Sequence, residues 1–177
     1  SEDVLSIIFS RLGLKFNDSP DFVNKGVNYL KEFFNNLNYN EFDYTNELFD
    51  ILEKDEDKYL SSPLIMDYLL AKLARYSSTP SRDKFDNSKD MILSSFDLLS
   101  NNQKFIYNFY VAIDILILSD NKQLGKILLE EALGYKESGH CYFWLSYSYR
   151  IENNPIKAYE SIQKALNLYV AEGNIIS

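Results

Sequence analysis

Apolar residues return along this chain at helical spacing, in stretches punctuated by serine, asparagine, glycine and proline. Val4, Leu5, Ile8, Phe9 and Leu12 make the first stripe, which Gly13 stops in the position of a C-terminal cap, with Leu14 and Phe16 packing back. Ser19-Pro20 opens the next helix with a cap followed by proline at the first helical position, where the missing N–H costs nothing. Phe22, Val23, Val27, Leu30, Phe33, Phe34 and Leu37 follow as far as an Asn-rich turn near Asn38, and a partner helix carries Phe42, Thr45, Leu48, Phe49 and Leu52. The run Lys54-Asp55-Glu56-Asp57-Lys58 reads as a solvated linker. Ser62-Pro63 then repeats the cap-and-proline device before Leu64, Leu69, Leu70, Leu73 and Ala74. Ser77 to Ser81 is the longest polar break and the expected place of mobility, after which Phe85 to Leu99 is predicted as the partner helix. A third pair runs from about Asn102 to Leu118 and from about Asn121 to Leu133, with Gly125, Leu129 and Ala132 on the interlocking face and Gly134 at its end.

The stretch from His140 to Tyr169 spells a fourth pair most clearly. Tyr142, Leu145, Ser146 and Tyr149 share one face of its first helix. Asn154 caps a second helix with Pro155 at its first position. On that helix Ala158 and Ala165 allow close backbone approach, with Ile162 expected to fill the space between them. Tyr169 to Ser177 reads as a turn leading into a further helix, as if the stack were cut at its end.

The order Y-x2-L-S-x2-Y followed by A-x3-I-x2-A resembles the tetratricopeptide repeat. The resemblance implies an all-α fold: a right-handed α-α superhelix of about four helical hairpins plus an N-terminal helix. The pairs begin near Ser19, Ser62, Asn102 and Ser138, a spacing of about 36 to 43 residues against roughly 34 for a regular array.

Composition narrows the function classes. With 46% hydrophobic residues among 177, the chain can bury a substantial core, and its 14 Tyr and 12 Phe are expected mainly between helices. A net charge of -8 opposes direct binding to a phosphate backbone. The single cysteine, Cys141, forbids an intrachain disulfide and fits a cytoplasmic protein. The acidic start lacks a secretory apolar core, and the absence of an initiator Met suggests a fragment or a processed product. The most apolar run, Phe105 to Leu118, is interrupted by Asn108 and Asp114 and is too short to span a bilayer, so no membrane association is expected.

No catalytic constellation emerges, and the chain is not read as an enzyme. His140 is the sole histidine, and its neighbour Cys141 points to a different side of the same helix. One His and one Cys cannot close a zinc site, the acidic clusters lack calcium-loop spacing, and the glycines stand singly, so neither metal nor cofactor is expected. In tetratricopeptide stacks the first helix of each pair lines a concave surface. Carried over by register, that surface would hold Phe143, Tyr147 and Arg150 from the fourth pair, Tyr107, Tyr110 and Asp114 from the third, and Tyr68, Lys72 and Arg75 from the second. Rings with a few cations suit a peptide or protein ligand bearing a carboxylate.

A second resemblance lies at the start. SEDVLSIIFSRLGLKF is similar to the last helix of a Cro/XRE-type helix-turn-helix domain, which implies that residues 1–16 end a head missing from this chain and that 17–177 form the helical repeat body. Together the two resemblances point to the ligand-sensing and dimerising domain of a bacterial transcription regulator of the Rgg, PlcR and PrgX group. In that group DNA is contacted only through the head, and peptide binding shifts dimer geometry. A homodimer through the last repeat is the accompanying expectation. The rival reading is a tetratricopeptide-type interaction scaffold without a DNA-binding role.

Overall fold

A computed structural model describes residues 2–17, 19–38 and 42–171. It is all-helical, with 82% helix and, among the described residues, no strand. The helices are α1 (Glu2–Leu12), α2 (Pro20–Asn38), α3 (Phe42–Lys54), α4 (Glu56–Leu60), α5 (Ile65–Tyr76), α6 (Arg82–Leu93), α7 (Asn101–Leu118), α8 (Lys122–Tyr135), α9 (Gly139–Ile151) and α10 (Pro155–Ala171), with a 3-10 turn at Phe96–Leu98. The four expected hairpins form: α2 packs on α3, α5 on α6, α7 on α8 and α9 on α10. They fall into two compact units, Ser1–Leu99 and Ser100–Ser177.

The first unit is organised around α5, which touches α2, α3, α4 and α6. A helix covered on so many sides cannot be amphipathic in the usual sense. Of its twelve residues, ten are buried, including Tyr68, Leu70, Ala71 and Leu73 at 0% exposure. Phe33 from α2 and Phe49 and Leu52 from α3 fill the adjoining core. At the start, α1 ends in two reversed hydrogen bonds, Gly13 N–H to Ser10 O at 3.3 Å and Leu14 N–H to Phe9 O at 3.1 Å, with Gly13 at φ +65°. That left-handed corner is open to glycine without strain. The Arg11 guanidinium reaches Asp97 with both nitrogens, at 2.6 and 3.2 Å, so α1 is tied to the far end of its own unit.

Three expectations for this unit are corrected. The run Lys54 to Lys58 is not a linker: most of it enters α4, which buries Tyr59 at 2% exposure, stacks that ring on Tyr68 at 4.9 Å and sets Glu56 2.5 Å from the Lys72 ammonium. Ser62-Pro63 does not cap α5, which starts two residues later. The Ser62 hydroxyl instead donates to Tyr59 O and accepts from Leu64 N–H, closing a turn. The predicted helix from Phe85 to Leu99 breaks at Leu93, where the Ser94 hydroxyl bonds back to Met91 O and the chain tightens into the 3-10 turn.

The second unit is two hairpins laid side by side, α9 lying against both α7 and α8. Ser100 and Gln103 start α7 with a reciprocal capping box, and the Asn121 side chain caps α8. The buried α8 face is Gly125, Leu129 and Ala132, as the spacing predicted. A Cβ at Gly125 would lie 2.7 Å from Leu116 Cγ and 3.1 Å from Ala112 O, so only glycine lets α8 approach α7 this closely. Gly134 does not end α8, which continues to Tyr135. Tyr169 to Ala171, expected to begin a turn, are still part of α10. Asn38, near which a turn was expected, still belongs to α2, and residues 39–41 and 172–177 lie outside the described residues.

Candidate functional site

The hairpin of α9 and α10 is built by a tight reversal. After α9, Asn154 N–H bonds to Tyr149 O at 2.9 Å and Asn153 N–H to Arg150 O at 3.1 Å, with Asn153 at φ 55°. This is a Schellman corner carried by asparagine, one of the few non-glycine residues that tolerates it. The Asn154 side chain then accepts from Lys157 N–H at 3.2 Å and Pro155 starts α10, as predicted.

Small side chains bring the two helices together. Ala158, Ser161 and Ala165 are the buried residues of α10; Gly139 of α9, where an added Cβ would lie 3.2 Å from Ala165 O, and Ser146, which shares the hollow with Ala158, meet it from the other side, while Leu145 packs towards α7 and α8. The hydroxyls of Ser146 and Ser148 donate to carbonyls of their own helix, Phe143 O at 2.7 Å and Trp144 O at 3.1 Å, so these side chains stay small without leaving a buried donor unmet. Ile162 does not fill the space between the alanines. Ser161 occupies that line, and Ile162 sits one position round the helix at 38% exposure. Tyr149 closes the other side, with Lys126 and Lys157 over its ring at 5.4 and 5.5 Å and its hydroxyl donating to Glu130 at 3.1 Å.

On the open side of this hairpin lies a hollow of about 350 Å³. Ser146 and Ala158 form its floor, Phe143 and Tyr147 one wall, Tyr159 and Ile162 the other, and Arg150 stands at the rim with Pro155. Phe143, Tyr147 and Tyr159 are 46%, 39% and 64% exposed, unusually open for large rings. Trp144 is edge-on to both Phe143 and Tyr147, at 6.1 and 5.8 Å, and holds those walls from behind. Glu152, the nearest acidic residue along the chain, is taken up by Lys126 at 2.5 Å. Among the described residues no carboxylate pairs with Arg150. The hollow therefore offers aromatic contact area and one guanidinium fork, a fit for an apolar or aromatic side chain beside a carboxylate.

The nine residues expected to line a groove fare differently. Phe143, Tyr147 and Arg150 come together here. On α7, Tyr107 and Asp114 are buried at 6% and 5% exposure, and Tyr110 is half-buried against Phe109, its hydroxyl held well above the ordinary phenol range by burial. On α5, Tyr68 and Lys72 do not face an open groove, because α4 covers them: the Tyr68 ring is fully buried, and burial first, then Glu56 and Glu53, raise its hydroxyl. Arg75 is half-buried with its guanidinium 5.6 Å from the Tyr76 ring. Register reasoning missed Tyr159 and Ile162, because only first helices were taken to face the ligand. Their spacing beside the alanine face was visible in the sequence.

Cys141 is not a reactive thiol. It is fully buried, donates to Leu129 O at 3.2 Å, and burial pushes its pKa up to about 12. Among the described residues no group of three His, Cys, Asp or Glu side chains could hold a metal ion. Nor is any helix among them long and apolar enough to cross a membrane. No protein-family model, no curated protein and no solved structure gives a significant match to the chain.

Proposed function

We propose that this chain is a regulatory protein-binding domain built of tetratricopeptide-like hairpins in a right-handed stack, whose α9–α10 hollow captures a carboxylate-bearing peptide segment. The observation that carries the reading is the convergence of Phe143, Tyr147, Tyr159 and Arg150 on one open hollow. The position of α9 against both preceding helices, and the glycine, alanine and serine at the close approaches, support the repeat architecture. In this reading the domain is the sensing body of a cytoplasmic bacterial transcription regulator, and DNA is reached through a separate helix-turn-helix head.

A plain interaction scaffold is the second reading, and one observation favours it. The helix similar to the end of a DNA-binding head is fastened within the first compact unit by the paired Arg11–Asp97 contact, as an integral part of the body would be.

Calorimetry with a peptide library, each member made with a free and an amidated C-terminus, tests the hollow. Binders are expected to prefer the free acid, and Arg150→Ala to weaken them about tenfold or more, the equivalent of a lost charge-assisted hydrogen bond. Phe143→Ala should weaken free acid and amide alike. A library without binders, or binders indifferent to Arg150→Ala, would remove the ground for this assignment.

A further inference from the structure

The hairpins α7–α8 and α9–α10 match position by position. Gly125, Leu129 and Ala132 of α8 have the spacing of Ala158, Ile162 and Ala165 of α10. Gly125 closes on Ala112 and Leu116 of α7, and Ala158 shares the hollow with Ser146 and Arg150 of α9, which sets Phe109 and Ile113 level with Phe143 and Tyr147. The matched residues differ in their cover. Phe109, Ile113, Leu116 and Leu129 are buried in one cluster with Cys141 and Leu145, because α9 lies across them. Their counterparts Phe143, Tyr147 and Ile162 stand 46%, 39% and 38% exposed, and the counterpart of Leu116 is Arg150. The hollow is thus the seat that α9 occupies one hairpin earlier, left open.

We infer that the hollow takes a helix, laid over α9–α10 as α9 lies over α7–α8, and that this guest is the C-terminal helix of a partner protein. This rests on the reading of the hollow as a site for a carboxylate-bearing segment, and it gives that segment a conformation, a direction and a pattern. The start of α9 is seated by the Cys141 thiol, which donates to Leu129 O at 3.2 Å, and Leu145 enters the same cluster one turn on. The end of α9 lies at the other end of the hairpin: Lys126 reaches Glu152, and the adjacent Gly125 meets Leu116. Transferred to the hollow, a small guest residue comes over Ile162, a leucine four residues later meets the rings, and the guest's last turn arrives at Arg150.

The change from Leu116 to Arg150 chooses the partner. The last turn of a helix presents carbonyls without intrahelical donors and the negative end of the dipole, and a chain terminus adds a carboxylate. A guanidinium fork serves all of these at once. A helix that ran on past Arg150 would keep those carbonyls bonded within itself and bring the fork nothing but side chains. The matching face of α9 in a second copy is not available as the guest, because Cys141, Leu145 and Ser148 are buried within their own unit.

The test is calorimetry of the full chain with an alanine-rich peptide as long as α9, 13 residues, carrying serine and leucine at the places of Cys141 and Leu145, a free C-terminus, and a lactam bridge on its outer face that locks the helix. The locked peptide is expected to bind at least tenfold tighter than its unlocked form, because its ordering is done beforehand, and a central proline should abolish binding. Amidating its C-terminus should weaken binding about tenfold in the parent and not at all in Arg150→Ala. Ile162→Glu should abolish binding with helical content and unfolding midpoint unchanged. Locked and unlocked forms binding alike, the proline form binding as well, or no binding by the locked peptide would each overturn the helical guest, while the free-acid preference of the peptide library decides the parent reading separately. Equal binding of acid and amide overturns the C-terminal assignment. A lowered unfolding midpoint in Ile162→Glu would show the hollow covered by the chain's own residues, and a dimer in sedimentation that Ile162→Glu disperses would put a second copy there; either overturns the proposal.

Discussion

The two compact units both have cores of large side chains and a close glycine approach, Gly26 in the first and Gly125 in the second, and differ in charge and in where their exposed rings gather. In Ser1–Leu99 a central helix, α5, is sunk among large rings and aliphatics, and charged groups are drawn in with it: Lys72 is 7% exposed and held by Glu56, while Glu53, Tyr76 and Lys84 form a second knot at 2.7 to 2.8 Å. In Ser100–Ser177 close approach comes from glycine, alanine and serine, and its buried serines Ser146 and Ser148 and the Cys141 thiol all bond to backbone carbonyls. Charge divides by unit, with eleven basic against eighteen acidic residues in the first unit and seven against eight in the second. Both units leave rings exposed, Phe16, Tyr29 and Tyr44 in the first and Phe143, Tyr147 and Tyr159 in the second, but only those of the second gather around the candidate site.

The largest expected effect tests the packing that the two units share. Tyr68→Ala, at a fully buried ring, should cost about 3–5 kcal/mol in urea unfolding, whereas Gly125→Val, which forces a side chain into Leu116, should cost about 1–3 kcal/mol. If Gly125→Val proved neutral, the second unit would not depend on close backbone approach, and that likeness would collapse.

A smaller effect is expected at the buried pair. Lys72→Met leaves Glu56, about a third exposed, without its partner and should cost about 1–3 kcal/mol, while Lys72→Met combined with Glu56→Leu should recover most of that. A silent single substitution would show that α4 is held by Tyr59 alone.

The smallest effect is a pH dependence confined to the first unit's knot. Burial pushes the Glu53 carboxyl up, but the hydrogen bonds from Lys84 and Tyr76 outweigh it and hold the carboxyl below its ordinary range. A lowered carboxyl contributes stability that is complete above the ordinary carboxylate range and is lost as pH falls through the lowered value. Acid titration followed by circular dichroism should therefore show a shallower loss in Glu53→Gln than in the parent. The difference should be under about 1 kcal/mol, because Lys84 is 47% exposed and solvent screens the pair. Equal slopes would mean that the knot contributes nothing to folding.

Legibility had the same limit in both units. The second unit could be read in its pairs and close approaches, because Asn154-Pro155, Ala158, Ala165, Gly125 and Ala132 are local signals whose meaning does not depend on distant partners, but not in the exposure of Tyr107, Asp114 and Ile162. The first unit, too, was legible in its pairs but not in its exposures. Tyr68 and Lys72 were expected on the groove because the register of the repeat was carried over to α5, and no local pattern announces that Glu56 in the acidic run and Tyr59 just after it dock there. Ser62-Pro63 misled for a related reason: the same dipeptide makes a cap or a turn according to where the next buried side chain must go. On α10 the alanines were read correctly, while the ring beside them, Tyr159, was overlooked because it packs on nothing within its own hairpin's core.

The sole tryptophan, Trp144, leans on the two rings that wall the hollow. Any guest that shifts Phe143 or Tyr147 alters the surroundings of the indole, so the molecule carries an intrinsic optical gauge of its own occupancy, readable by emission colour without a dye or an introduced probe.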